Sequence, residues 1–309
     1  MKKTRFTGRA AVLAAVSLAL LAACGADGAS DTTAGGGTTA ASDTTTVACA
    51  DAGKKLLSLS PTATEMVYAI GAGDQMVAVD SLSNWPAEAA DKVTKISAFE
   101  PNAEEILGYD PDVVLISNDM GNITKQLKSV KPDIEVWTGA AAAGIDDVYA
   151  QIDALGAMTC KVAEATALVE KMKSDIAAAV EGVKAPEGSS YFYELDNTLY
   201  SVTSKTFVGS LLAQTGIANI ADGVEDGNDY PQLSAEKVIS ADPSVVFLAD
   251  TKCCGQNAVE VAKRPGWGAV QAVKNGHVVE IDDDIASRWG PRVVELVQTL
   301  VGAVKGLGS

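Results

Sequence analysis

The sequence predicts an α/β protein built as two doubly wound α/β lobes on either side of one long helix. Three observations carry that prediction. Short apolar strands alternate with helices both early and late in the chain. The stretch between them keeps a helical period. And one thirteen-residue phrase is written twice: "NAEEILGYDPDVV" over Asn102–Val114 and "SAEKVISADPSVV" over Ser234–Val246, with Ala, Glu, Asp, Pro, Val and Val coinciding at a constant offset of 132 residues.

The first residues are a targeting segment. Lys2, Lys3, Arg5 and Arg9 precede an apolar run from Ala10 to Ala23, too short for a permanent span, so residues 1–23 read as a secretory signal. The run ends Leu20-Leu21-Ala22-Ala23-Cys24-Gly25, small residues before a Cys, which resembles a lipoprotein lipobox. Cys24 is then expected as the acylated first residue of the mature chain. An ordinary signal cut nearby, or an uncleaved anchor, is the alternative. Residues 24–53 are mostly Gly, Ala, Ser, Thr and Asp, without an aromatic or basic residue. Such a segment cannot bury enough apolar area to order itself and reads as a flexible tether. Anchor and tether together place a folded domain outside the cytoplasm at the cell membrane.

Without its first 23 residues the chain keeps 40 acids against 20 bases, a net charge near −20. Phosphate backbones are repelled by such a balance, so nucleic acid is excluded as a partner. No later run is long and apolar enough to span a bilayer. Cys49, Cys160, Cys253 and Cys254 remain, and outside the cytoplasm four thiols point to disulfides. Cys49–Cys160 and a vicinal Cys253–Cys254 pair are expected. Free thiols or a soft-metal site compete with that pairing, although the single His and the lack of C-x-x-C spacing argue against metal.

Lobe one is expected over residues 54–158. Lys55–Leu59 reads as a strand, and Thr62 with Glu65 as N-cap and capping-box residue of the following helix. Met76–Asp80 is a second strand. Asn102 caps a short helix ended by Asp110-Pro111, and Val113–Ser117 is a continuous apolar strand of the kind parallel sheets bury on both faces. Ile134–Trp137 is the fourth strand. From Gly144 to Val183 apolar residues recur at steps of three and four, and 159–185 is expected as the linking helix. Lobe two, 186–309, opens with strands at Tyr191–Leu195 and Leu199–Val202. Phe207–Gln214 is a helix. Ser234 caps the second copy of the repeat, Val245–Ala249 is its buried strand, Gly276–Ile281 a further strand, and Pro291–Val304 a closing amphipathic helix.

Catalytic signatures are scarce. There is no G-x-S-x-G, H-E-x-x-H or P-loop pattern, and Ser58 and Ser60 lack a base spaced to activate them. A secreted hydrolase on this frame therefore has no nucleophile to name, and a metal-ion carrier would rest on Cys253 and Cys254. Ligand-site residues are more legible. Ligands of doubly wound sheets sit outside the carboxyl ends of the strands, which here include Asn118 and Asp119, Glu194, and Asp250 with Lys252. Trp85, Phe99, Tyr230 and Trp289 fall nearby and supply flat apolar surface for a large, partly apolar ligand. Acids dominate this rim, which suits a neutral or cationic ligand. Within the repeat, capping, the Asp-Pro stop and the Val-Val start are structural. Glu104 and Glu236 are left over, matched across the lobes, and could dock basic residues of a two-fold symmetric partner.

Four segments, "LLSLSPTATEMVYAIGAGDQMVAVD", "EPNAEEILGYDPDVVLIS", "YPQLSAEKVISADPSVVFLAD" and "SRWGPRVVELVQTL", resemble the periplasmic-binding-protein family for vitamin B12 and iron–siderophores. The resemblance spans about Lys54 to Leu307. It implies a helical-backbone substrate-binding protein, two lobes on one rigid helix, that captures a ferric chelate or corrinoid non-covalently and delivers it, as a monomer and without catalysis, to an ABC permease dimer with its ATPase. It also implies that Glu104 and Glu236 meet Arg residues of the permease, that Trp85, Phe99 and Tyr230 hold a corrinoid, and that Arg288 and Trp289 line the cleft.

Overall fold

The computed structural model describes residues 53–308. The signal segment, Cys24, the tether through residue 52 and Cys49 lie outside the described residues. The chain from residue 53 forms β1 (Leu56–Ser58), α1 (Pro61–Ala69), β2 (Met76–Val79), α2 (Ala103–Leu107), β3 (Val113–Ile116), α3 (Ile123–Val130) and β4 (Glu135–Thr138). These strands pair in parallel in the order β2-β1-β3-β4. Two helices follow, α4 (Ile145–Met158) and α5 (Val162–Val180). Next come β5 (Ser190–Glu194), α6 (Phe207–Ala213), β6 (Ala218–Asn219), α7 (Ala235–Ala241), β7 (Val245–Leu248), α8 (Ala258–Lys263), α9 (Gln271–Lys274) and β8 (Val278–Glu280). This second parallel sheet has the order β6-β5-β7-β8, the first order repeated strand for strand. The chain closes with α10 (Asp283–Ala286) and α11 (Val293–Gly306).

The written repeat is the same element in both lobes. Asn102 accepts hydrogen bonds from the Glu104 and Glu105 N–H groups, and Ser234 accepts from Lys237. Asp110 and Asp242 then turn the chain with φ of 48° and 47°. Proline disfavours the right-handed helical region for the residue before it, and Asp tolerates the left-handed one, so Asp-Pro ends each helix the same way. β3 and β7 alternate strictly. Val113, Leu115, Val245 and Phe247 enter one core shared by both lobes, whereas Val114, Ile116, Val246 and Leu248 enter two separate outer cores. The shared core runs from β1 and β3 through Val148, Ile152, Val169, Met172, Leu296 and Leu300 to β5 and β7. A close-packed core that passes from lobe to lobe leaves little freedom for a hinge.

Three local expectations are corrected. Ser60, not Thr62, caps α1: Pro61 fixes the first helical φ, and the Ser60 hydroxyl accepts from the Ala63 N–H at 3.2 Å. The long helix begins at Val162, because Thr159–Lys161 form a turn with Cys160 at φ 62°. At that turn Gly156 lets α4 approach α5 closely, since a Cβ there would lie 2.4 Å from that of Ala165. Leu199–Val202 is not a strand. Instead the Ser201 N–H donates to the Pro231 carbonyl and the Leu199 carbonyl accepts from the Leu233 N–H, with one isolated bridge between Tyr200 and Gln232.

Cysteine pairing is also revised. Cys160 is disulfide-bonded, and its expected partner Cys49 lies outside the described residues. Cys253 and Cys254 are free thiols, against the expected vicinal pair. Hydrogen bonds hold their turn without a bridge: the Cys253 N–H donates to Asp283 Oδ2 at 2.7 Å, and the Cys254 N–H to the Asp250 carbonyl.

Candidate ligand-binding cleft

In both sheets the topological switch point lies between the first and third strands of the lobe, where crevices for ligands form. At the first, β1 and β3 part beyond Ser58 and Ile116, and the Ser117 hydroxyl donates across the gap to Ser60 Oγ at 2.8 Å. A cavity of about 400 Å³ opens there, inside the roughly 300–1,000 Å³ range of small-molecule sites. Its floor is the ends of β1, β2 and β3, from Leu59 to Thr62, Asp80 and Leu82, and Ile116 to Asn118. Phe99 forms one wall, and Asp284 to Trp289 of the second lobe form the facing wall. Phe99 is 67% exposed, an uncovered aromatic face at the mouth. Trp289 is half-buried, and its indole N–H donates to Gln151 Oε1 at 3.2 Å, which fixes the ring.

The facing wall is clamped to the first lobe by buried ionic contacts. Arg288 Nη1 donates to Glu65 Oε1 at 2.9 Å and Asn84 Oδ1 at 3.0 Å; its Nη2 donates to the Leu82 carbonyl at 3.1 Å and Asp284 Oδ1 at 2.7 Å. Arg292 grips the same Glu65 carboxylate through Nε and Nη2. Glu65 and Arg288 are nearly inaccessible, at 2% and 8% side-chain exposure. Gly290 belongs to this cluster, because a Cβ there would press to 3.2 Å from Glu65 Oε2. Arg288, expected as a ligand contact, thus spends both terminal nitrogens on protein.

The second switch point is filled. At the ends of β5 and β7, Glu194 and Asp250 are fully buried. Arg264 Nη1 and Nη2 donate to the two Glu194 oxygens at 2.6 and 2.5 Å, and Nη2 also to Gln256 Oε1. The guanidinium lies 4.7 Å from the Trp267 ring centre. Burial, and then the Glu194 charge, push the Asp250 carboxyl up to about 7. Neither Asp250 oxygen has a hydrogen-bond partner, so protonation of Asp250 relieves two like charges in one apolar site. Since the folded form holds this proton more tightly than the unfolded chain, the associated stability is full below about pH 4 and is lost as pH rises through about 7. Asp250→Asn, which removes the charge, is expected to be more stable than the parent at pH 8 by on the order of 1–3 kcal/mol, with the gap narrowing by pH 5. Equal melting curves at pH 8 would contradict this account.

The other expected residues are placed as follows. Asn118 lines the cavity. Asp119, Tyr230 and Lys252 stand outside that lining. The Asp119 carboxylate accepts from the Thr124 N–H at 2.9 Å at the start of α3. Lys252 is paired with Asp282 and Asp284 at 2.7 and 2.8 Å. Trp85 borders a separate, open depression of about 570 Å³ with Tyr68, Pro86 and Arg292, its ring 5.0 Å below the Arg292 guanidinium. The Glu65–Arg292–Arg288 cluster stands between the two cavities. Glu104 and Glu236 are both exposed, each the second residue of its helix. Glu236 is held below its ordinary value by its own N–H and by Ser234.

A family model described as "Periplasmic binding protein" matches residues 56–285, from the first strand of one lobe to the tail of the other. The chain belongs to the periplasmic binding protein family. This binding protein is 31% identical over 260 residues to an uncharacterised ABC transporter substrate-binding lipoprotein of Bacillus subtilis, covering 81% of this chain and 80% of the relative. It is 29% identical over 259 residues to the cobalamin-binding protein of Halobacterium salinarum, covering 81% and 69%. Among solved structures, a possible iron-binding (periplasmic solute-binding) protein of Staphylococcus epidermidis superimposes with a TM-score of 0.69 at 26% identity, covering 81% of this chain and 98% of that one.

Two features of the binding protein's site escape sequence reasoning. Glu65 reads locally as a capping residue, yet its partners Arg288 and Arg292 are 223 and 227 residues away. Asp80 reads as the end of a strand, yet it is a fully buried carboxylate in the cavity floor. The only local signal for the clamp is the i, i+4 spacing of Asp284, in α10, and Arg288, two residues past its end.

Proposed function

We propose that this protein is the substrate-binding lipoprotein of an ABC importer, and that it takes a ferric chelate or cobalamin-type corrinoid into the cavity between Phe99 and Trp289 for delivery to the permease. The observation that carries this reading is the placement of one open cavity, walled by both lobes and two aromatic rings, at the switch point of the first sheet. Capture would rest on shape, stacking and hydrogen bonds. The nearby serines are engaged with one another and with backbone: Ser58 Oγ donates to the Ser60 carbonyl and Ser117 Oγ to Ser60 Oγ. His277 lies against the Ser244 carbonyl in the second lobe. That arrangement favours binding over hydrolysis. Burial first, and the neighbouring Cys254 and Asp283, push the Cys253 thiol up to about 12, and a protonated thiol is a poor metal ligand. Among the described residues no group of three His, Cys, Asp or Glu side chains could hold a metal ion, so the ligand is read as a complete chelate.

Anchoring through Cys24 would keep the protein at the membrane beside its permease, with Glu104 and Glu236 as the two docking charges. Titration of the purified protein with corrinoids and a panel of ferric siderophores, by calorimetry, is expected to show one saturable site at micromolar affinity or tighter for one class. Failure of every chelate to bind at that level overturns the ligand assignment.

A further inference from the structure

Asp80 is an anomaly in the cavity. It follows β2 directly, its relative exposure is 0%, and it lines the cavity floor between Leu59 and Leu82. No hydrogen bond of normal geometry reaches either carboxylate oxygen. A buried carboxylate without donors is among the most unfavourable groups a fold can carry. The groups around it are already committed. Arg288 divides its terminal nitrogens among Glu65, Asn84, the Leu82 carbonyl and Asp284, and the Ser83 and Thr64 hydroxyls share one hydrogen bond at 3.0 Å in which either can donate. Burial raises the Asp80 carboxyl above its ordinary value, while the nearby Ser83 hydroxyl, the Ser83 and Leu82 N–H groups and the Arg288 charge offset part of that rise. The ionisable residues of the lining are Asp80, Asp284 and Arg288, two acids and one fully engaged base. The cavity floor thus offers acceptors and lacks a free positive group.

We propose that Asp80 selects the ligand: its unpartnered carboxylate accepts from an N–H, O–H or ammonium group of a neutral or cationic chelate, and it turns away chelates that present carboxylates. The assignment rests on the reading of this cavity as the ligand site. Amide-bearing corrinoids and hydroxamate chelates carrying an ammonium or amide N–H meet the requirement. Haem, with two propionates, and ferric citrate do not, because a second carboxylate beside Asp80 is repelled where screening is weak.

The test uses cyanocobalamin, ferrioxamine B, haem and ferric citrate as probes, titrated against the parent protein and against Asp80→Asn and Asp80→Ser. Melting curves first establish that each variant is folded. The parent is expected to bind cyanocobalamin or ferrioxamine B more tightly than haem or ferric citrate. Both variants should weaken that favoured complex by about tenfold to a hundredfold, the range of a hydrogen bond to a charged group, and should strengthen haem binding. If the favoured complex is unchanged within about twofold in two folded variants, the role of Asp80 is overturned and the cavity reading stands. Preference of the parent for haem or ferric citrate overturns it equally. If the parent binds none of the four probes, both readings fall together.

Discussion

Glu65→Ala is expected to lower stability by about 3–5 kcal/mol, the range for removing one partner of a buried ion pair, and the melting temperature by roughly 10 °C in a domain of this size. The size of the effect follows from what is left behind. Arg288 and Arg292 share that carboxylate at 8% and 13% side-chain exposure, so its loss strands two guanidinium groups in a site that water barely reaches. Arg288 would keep Asn84, the Leu82 carbonyl and Asp284, whereas Arg292 loses both hydrogen bonds to Glu65 and retains the Trp85 ring. The damage should extend to function, because the same cluster seats Asp284–Trp289 as the second wall of the cavity. Glu65→Gln is the informative companion: it keeps the shape and one acceptor, so it should fall between Ala and the parent. Chemical unfolding of all three measures the difference. A loss below about 1 kcal/mol, the level of an exposed pair, would show that the clamp contributes nothing beyond a surface contact.

Replacing Glu104 and Glu236 together by Arg is expected to abolish delivery while sparing capture. Both residues are exposed, lie in the first turn of equivalent helices and are not part of the cavity lining. If these are the docking charges, their reversal turns attraction into repulsion at two places at once. With about 2 kcal/mol or more for each charge pair lost at a contact, uptake through the permease should fall by about a hundredfold or more, with chelate affinity and melting temperature unchanged. A single reversal should give a partial loss. Uptake assays in membranes or cells carrying the permease, run beside calorimetry, separate the two outcomes. Weakened chelate binding in the double variant would instead place these residues in the capture step.

The duplicated architecture was legible because its grammar is local. Cap, Asp-Pro stop and Val-Val start are set by neighbours within a few residues, so Asn102–Val114 and Ser234–Val246 announced equivalent helices and strands, and the sheets do share one strand order. The cavity was only half legible. Phe99, Asn118 and Trp289 fall on its lining, as the rule of ligands at strand ends requires. The same rule pointed equally at Glu194 and Asp250, where Arg264, seventy residues beyond Glu194 in sequence, occupies the second crevice. Trp85 stands apart from this lining, on the far side of the clamp with the Arg292 guanidinium over its ring. Long-range charge pairing decides each of these cases, and no periodicity or spacing records it. The shortened linking helix is a different kind of miss. The apolar period continues through Thr159–Lys161, but Cys160 takes a left-handed conformation there and divides one periodic run into α4 and α5.

The location of the ligand decides between the two cavities and the second switch point. A crystal structure with the bound chelate tests it most directly. The expected result is a chelate held between Phe99 and Trp289, over Asn118, with a donor group facing Asp80 and the Glu65–Arg288–Arg292 cluster intact behind it. A chelate seated in the depression beside Trp85 and Arg292, or at the ends of β5 and β7 with Arg264 displaced, would contradict it.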